Sequence, residues 1–208
     1  MAQVIELLVY GILLGLAQGL TPGPLITLIF SETLKYGKKE GVKIALSPLI
    51  TDSVIVSLSL LVLSNLSSYN IAIGIISLFG AFYLIYLGIE NLRIKIDKFT
   101  VEPSNKGALK RGIIANFLSP HPYLFWLSIG GPTILESART SITAPALFVA
   151  GIYTTLIGSK LAVTLIVDKS KTVLKSKYYV YAIKALGIIL FIFAIFFIKD
   201  GLDLIGLL

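Results

Sequence analysis

The chain has 208 residues, of which 56% are hydrophobic and 14% charged, with a formal net charge of +7 and a mean hydropathy of +0.90. A soluble domain carries about 25% charged residues, so this composition excludes a soluble enzyme with a charged shell, and it excludes disorder, which needs low hydrophobicity. The absence of cysteine excludes a disulfide framework and a thiol-redox membrane protein.

Six stretches reach the roughly 20 apolar residues that a membrane-crossing helix needs. They run from Val4 to Phe30, Val42 to Leu63, Ile71 to Leu92, Leu109 to Leu135, Ile142 to Val167 and Val180 to Ile198. The first is too long for a cleavable signal peptide, and no Lys or Arg precedes it. The runs are continuous rather than alternating, which argues against a transmembrane β-barrel.

The basic residues fall in three connections: Lys35, Lys38, Lys39 and Lys43; Arg93, Lys95, Lys98, Lys106, Lys110 and Arg111; and Lys169, Lys171, Lys175, Lys177 and Lys184. These make up fifteen of the eighteen Lys and Arg residues. Arg139 and Lys199 alone lie on the opposite side, and Lys160 lies inside a span. Basic loops stay in the cytoplasm, so a multi-pass plasma-membrane protein with both termini outside is expected. The basic side chains read as orientation signals and contacts to lipid phosphate, not as a nucleic-acid surface. Asn65, Leu66 and Ser67 form a glycosylation sequon in a very short outer connection. Pro103, Ser104, Asn105 and Gly107 mark residues 93–107 as a cytoplasmic linker between two units, 1–92 and 108–208.

The two units repeat. At an offset of 98 residues, Ala17-Gln18-Gly19-Leu20-Thr21-Pro22-Gly23-Pro24 lies over Ala115-Asn116-Phe117-Leu118-Ser119-Pro120-His121-Pro122. The shared pattern is Ala, amide, any, Leu, hydroxyl, Pro, any, Pro. Three spans per unit is an odd number, so the second copy is inverted, an arrangement common among secondary transporters. The expected fold is therefore an all-α integral membrane protein of six transmembrane helices, built as two inverted three-helix repeats. Proline lacks an amide hydrogen and clashes with the preceding turn, so each Pro-x-Pro should break its helix, the first and the fourth. Carbonyls freed there cannot face lipid, and the two breaks should face each other across a cavity.

Asp52 reads as the only acidic residue deep in a span, about nine residues past the basic flank. A charge at that depth costs about 2.5–3.5 kcal/mol or more. Ser47, Pro48 and Thr51 share its small, polar face. The two readings of Asp52 are cation or proton binding and a structural carboxylate. Lys160 in the fifth span is the expected internal partner of Asp52, or of a substrate carboxylate; snorkelling is the plainer reading. His121 is the only histidine; it is a proton relay or a donor to a freed carbonyl. Gly11, Gly15 and Gly19 form overlapping GxxxG patterns, which read as close helix packing. Tyr123, Phe125 and Trp126 read as packing.

No nucleotide-binding loop, zinc motif or Ser-His-Asp set is present. An aspartyl mechanism wants two carboxylates. No catalytic residue, cofactor or metal site is expected.

Gly15, Gly19, Thr21-Pro22-Gly23-Pro24, Gly37, Gly41 and Asp52 resemble the first half of the LysE-type exporter family. Gly112, Asn116 and Pro120, followed by an aromatic-rich run, resemble its fourth span, and the similarity covers essentially the whole chain. The resemblance implies a secondary exporter of amino acids or similar small zwitterions, driven by a proton or other ion gradient. The family's functional segments match Thr21 to Pro24, Asp52, and Asn116 to Pro120. Ser119 stands where the family usually has Asn, and His121-Pro122 where it has a basic or small pair. The candidate transport residues are Gln18, Thr21, Pro22, Gly23, Pro24, Asp52, Asn116, Ser119, Pro120, His121, Pro122 and Lys160. The expected partners are a small solute, a coupling ion and the lipid bilayer, with homo-oligomerisation open. The competing readings are a cation or metal-ion exporter of the same superfamily, and a non-transporting membrane enzyme or assembly subunit.

Overall fold

The computed structural model describes residues 2–63, 69–93, 107–139, 141–170 and 176–207, and every regular element among them is helical. The elements are α1 (Ala2–Leu20), α2 (Pro24–Tyr36), α3 (Lys38–Ala45), α4 (Ser47–Leu63), α5 (Tyr69–Leu92), α6 (Ala108–Phe117), α7 (Pro120–Phe125), a π-helical turn (Trp126–Gly130), α8 (Gly131–Ala138), α9 (Ala144–Ser170) and α10 (Ser176–Leu204). The sequon at Asn65, the linker residues 94–106, and Lys171 and Lys175 lie outside the described residues.

Among the described residues, four stretches are long and apolar enough to cross a membrane: Lys38–Leu61, Gly74–Leu92, Ala144–Ser170 and Ile183–Leu204. Val4–Leu20 and Pro24–Tyr36 qualify together and are bent by 59° at the break between them. The fourth apolar stretch is interrupted at Pro120, where the sequence predicts a break, and again farther on, where it predicts none. It is divided into α6, α7, the π turn and α8.

The breaks have a local cause. Steric clash with a proline ring pushes the preceding residue out of the helical region. Gly23 before Pro24 is fully extended (φ −171°, ψ 179°), and Ser119 before Pro120 is extended as well (φ −86°, ψ 131°). Pro24 and Pro120 then sit at helix starts, where a missing N–H costs nothing. The π turn comes just before Pro132, which has no N–H to offer the carbonyl of Ser128, so the regular hydrogen-bond ladder is interrupted there. Gly37 joins α2 to α3 with φ 100°, a conformation that side chains rarely adopt.

Two helix pairs dominate the packing, α1 with α9 and α5 with α10. In lipid, close approach of backbones replaces the hydrophobic drive between helices. The GxxxG pattern supplies it: Gly11 lies against the Phe148 carbonyl, Gly15 against the Ile152 carbonyl and the Thr155 hydroxyl, and Gly19 against Ser159. The Thr155 hydroxyl donates across the seam to the Ile12 carbonyl at 3.0 Å. The second pair uses reciprocal glycines, Gly74 with Gly201 and Gly88 with Gly187, and Ser77 donates to the Phe197 carbonyl at 2.8 Å. Gly80 on α5 admits the Leu118 carbonyl of the second break.

This seam makes a testable contrast. A Cβ at Gly15 meets the α9 backbone, whereas a Cβ at Gly158 has nothing within 4 Å. Gly15→Ala is expected to lose about 1–3 kcal/mol to overpacking and to melt earlier in detergent. Gly158→Ala is expected to be neutral or stabilising, by up to about 1 kcal/mol of helix propensity.

Candidate functional site

The breaks bring their residues together. A cavity of about 250 Å³ is lined by Gln18, Thr21, Pro22, Gly23 and Pro24 from the first break and by Asn116, Ser119, His121 and Pro122 from the second, with Asp52 and Lys160. Pro120 is buried behind this wall and is the one candidate residue that does not line it. Leu25, Ile26, Pro48, Ala115, Phe125 and Leu156 complete the lining.

Each break satisfies much of its own backbone. Thr21 caps the end of α1, its N–H and its hydroxyl both donating to the Ala17 carbonyl, at 3.0 and 2.5 Å. At the second break the Ser119 N–H donates to the Asn116 carbonyl at 3.2 Å. The Tyr123 hydroxyl donates to the Phe117 carbonyl at 2.9 Å. Tyr123 is therefore a cap for the broken helix as well as a packing residue. Among the described residues His121 plays no such part: its ring lines the cavity and sits edge-on to Phe197 with centroids 6.4 Å apart.

Asp52 is 4% exposed. The Asn116 amide donates to its Oδ1 at 2.9 Å and also to the Thr51 hydroxyl, and the Thr51 hydroxyl lies 3.3 Å from the same carboxylate oxygen. These donors hold a buried carboxylate that water does not reach freely. The interaction joins α4, which carries Asp52, to α6, which carries Asn116. The Trp126 indole also faces Asp52 and stacks on Tyr153 with centroids 6.3 Å apart.

Lys160 is 5% exposed and lines the same cavity as Asp52. The two are not directly paired: among the described residues no ion pair within 4.0 Å joins them. The charges share a space without touching. The amide nitrogen of Gln18, which also lines the cavity, is buried and has no hydrogen-bond partner, whereas the Asn116 amide donates to both Asp52 and Thr51.

A second polar assembly lies toward the basic end and corrects the reading of the basic residues and of the acidic ones. Lys35 and Arg111 are not lipid-facing orientation charges. Arg111 grips both carboxylate oxygens of Glu90 at 2.8 and 2.9 Å and reaches Glu32 at 3.3 Å. Lys35 donates to Asn91 and lies 3.5 Å from Glu90, and Ser31 donates to Asn91 at 3.0 Å. Asp52 is therefore not the only buried acid, since Glu32 is 0% exposed. Helix α2 continues six residues past the apolar run that ends at Phe30 and carries Glu32 and Lys35 inward. These charges escaped the sequence reading because a hydropathy count stops at the first charge, while the bundle interior does not. The apolar-to-polar switch at Ser31 within an unbroken helical period is the signal that could have found them.

The family model of the LysE type translocator matches residues 16–201, and the chain belongs to that family. No solved structure matches it. The family is one of membrane transporters rather than enzymes, and the chain is a multi-pass membrane transporter.

Removing Arg111 should expose the importance of the ionic assembly. Arg111→Met removes the guanidinium that bridges Glu32 and Glu90, at an expected cost of about 3 kcal/mol. The double variant Arg111→Met/Glu32→Gln should recover part of that loss in thermal melts, because one of the two carboxylates that the guanidinium bridged is neutral.

Proposed function

We propose that this LysE-type translocator is a secondary exporter of amino acids or similar small zwitterionic solutes, driven by an ion gradient, with the proton as the coupling ion. The observation that carries the reading is the cavity between the two helix breaks, which holds one carboxylate and one ammonium that do not neutralise each other directly. Broken helices meeting around buried polar groups are the arrangement that transporters use for substrate sites. A membrane carrier must neutralise such charges in every state that crosses the bilayer. On Asp52, a proton and a substrate ammonium are the two species that alternate in that role.

Six spans in two inverted repeats, 1–92 and 108–208, with a cytoplasmic linker at 93–107, account for the symmetry of the packing. Exchanging the units sends α1–α2 to α6–α8, α4 to α9 and α5 to α10. The contact of α1 with α9 then answers to that of α6 with α4, the contact of α2 with α10 answers to that of α7 with α5, and α5 with α10 is its own counterpart. Two such halves are able to exchange conformations, giving outward-open and inward-open states of similar energy. In this arrangement the basic connections lie in the cytoplasm and both termini outside a plasma membrane.

Three measurements test the proposal. Inside-out vesicles carrying the protein should take up labelled amino acids when a proton gradient is imposed, and should not concentrate divalent metals; uptake of metals alone would favour the cation-exporter reading. Asp52→Asn should abolish gradient-driven flux while leaving expression and melting temperature close to wild type. Single cysteines at Lys38, Lys98 and Lys175 of this cysteine-free chain should be shielded from impermeant thiol reagents in intact cells, and labelling of any one from outside would overturn the inverted topology.

A further inference from the structure

The cavity that holds Asp52 is also lined by hydrogen-bond donors without acceptors. Three observations define this lining. Lys160 is 95% inaccessible by its 5% exposure, lines the cavity, and has no ion pair or side-chain acceptor among the described residues. The Gln18 amide nitrogen is buried and unpartnered. Helix α2 opens on the cavity without a side-chain cap at Gly23. Its first backbone hydrogen bond runs from the Thr27 N–H to the Gly23 carbonyl, so the N–H groups of Leu25 and Ile26, both cavity-lining, have no backbone acceptor. A helix start of this kind carries about half a positive charge and binds anions. A buried ammonium without a direct acceptor and several unpaired donors together form a surface that is incomplete until an anionic acceptor arrives.

We propose that Lys160, the Gln18 amide and the start of α2 form a carboxylate-binding end of the transport cavity, and that the free α-carboxylate of the solute is a required recognition element. The proposal rests on the transporter reading above and narrows it. Asp52 takes the ammonium at the other end, held in place by Asn116 and Thr51. The charge balance favours this solute class. With Asp52 ionised and Lys160 protonated, a bound zwitterion leaves the occupied cavity neutral and gives each buried charge an opposite partner. An amine without a carboxylate leaves Lys160 stranded and adds net charge; a carboxylate without an amine does the same for Asp52. A bare metal cation has no use for the donor wall.

The two repeat-mates thereby acquire different work. Asn116 spends its amide on Asp52, inside the protein, whereas Gln18, one methylene longer, keeps its amide for the solute. The inequality arises because Asp52 has no acidic counterpart at the repeat-related position, which is Ala150.

The test uses the purified full chain in proteoliposomes. Counterflow is measured with the labelled proteinogenic L-amino acids. The one exchanged fastest is then compared with its own α-amide and its decarboxylated amine, for wild type, Lys160→Met, Lys160→Arg and Gln18→Glu, each checked for monodispersity and melting temperature. Wild type should prefer the acid over the amide and the amine by about 10- to 100-fold, the range of one or two charge-assisted hydrogen bonds. Lys160→Met should lose that preference chiefly by losing affinity for the acid, with the amine little changed, and Lys160→Arg should retain much of it. Gln18→Glu, which puts a negative charge at the same end, should disfavour the acid further and serves if Lys160→Met does not fold. If wild type exchanges the amine as well as the acid, or if Lys160→Met and Gln18→Glu keep the wild-type ratio, the carboxylate end is refuted while the exporter reading stands. If wild type exchanges no amino acid at all, the exporter reading falls and takes this one with it.

Discussion

Hydrocarbon offers no hydrogen bonds, so every break in a membrane helix must find its own partners within the protein. That requirement governs the whole arrangement. Two prolines, Pro24 and Pro120, force the residues before them into extended backbone, and each interruption strands polar groups. Some are recovered locally, through Thr21 onto Ala17 and Tyr123 onto Phe117. One carbonyl, that of Leu118, is pressed into the notch left by Gly80. What local capping does not use, chiefly the N–H groups that open α2, has to face a polar space, and the cavity is that space. The glycine seams between α1 and α9 and between α5 and α10 exist for a related reason: between apolar helices in an apolar solvent, contact area and backbone proximity are what hold the bundle together.

The two groups of buried charge are built on opposite principles. Near the basic end, Glu32, Glu90, Lys35 and Arg111 neutralise one another at hydrogen-bonding distance, with a bidentate guanidinium at the centre. Such an assembly is complete without any other molecule, and it fastens α2, α5 and α6 to each other. In the cavity, Asp52 is fixed by neutral donors and Lys160 by none, and the two do not meet. A charge pair kept apart at a desolvation cost of several kcal/mol per ion is a poor device for stability. It is a good one for receiving a solute that carries both charges itself.

Much of this was legible in the sequence, for physical reasons that also mark where legibility ended. Long apolar runs and glycines at helical spacing report lipid and close packing directly, and Gly11, Gly15 and Gly19 lie where that logic puts them. Proline constrains its predecessor whatever the tertiary context, so the breaks at Gly23 and Ser119 were foreseeable, and their meeting in one cavity was expected from the matching pattern of the two octapeptides. The second interruption of the fourth stretch was not, because a π turn depends on how Pro132 is accommodated by its neighbours. Nor was the burial of Glu32 and Lys35, since hydropathy treats a charge as an exit from the membrane and cannot see a partner such as Arg111, some eighty residues away in sequence. The separation of Asp52 from Lys160 is a matter of side-chain direction across three helices, which no spacing rule supplies.

The notch at Gly80 has a bearing on how such a chain can drift over time. The neighbouring Phe79, Phe82 and Tyr86 are turned outward and are free to exchange with other apolar or interfacial residues. Position 80 has no such latitude, because what a methyl group there would strike is the main-chain oxygen of residue 118. That oxygen is present whichever amino acid stands at 118, so no replacement of Leu118 relieves the collision. The contact therefore leaves an invariant position on one side and an unconstrained one on the other. Two segments joined this closely in space would leave no paired changes between them in a set of related sequences.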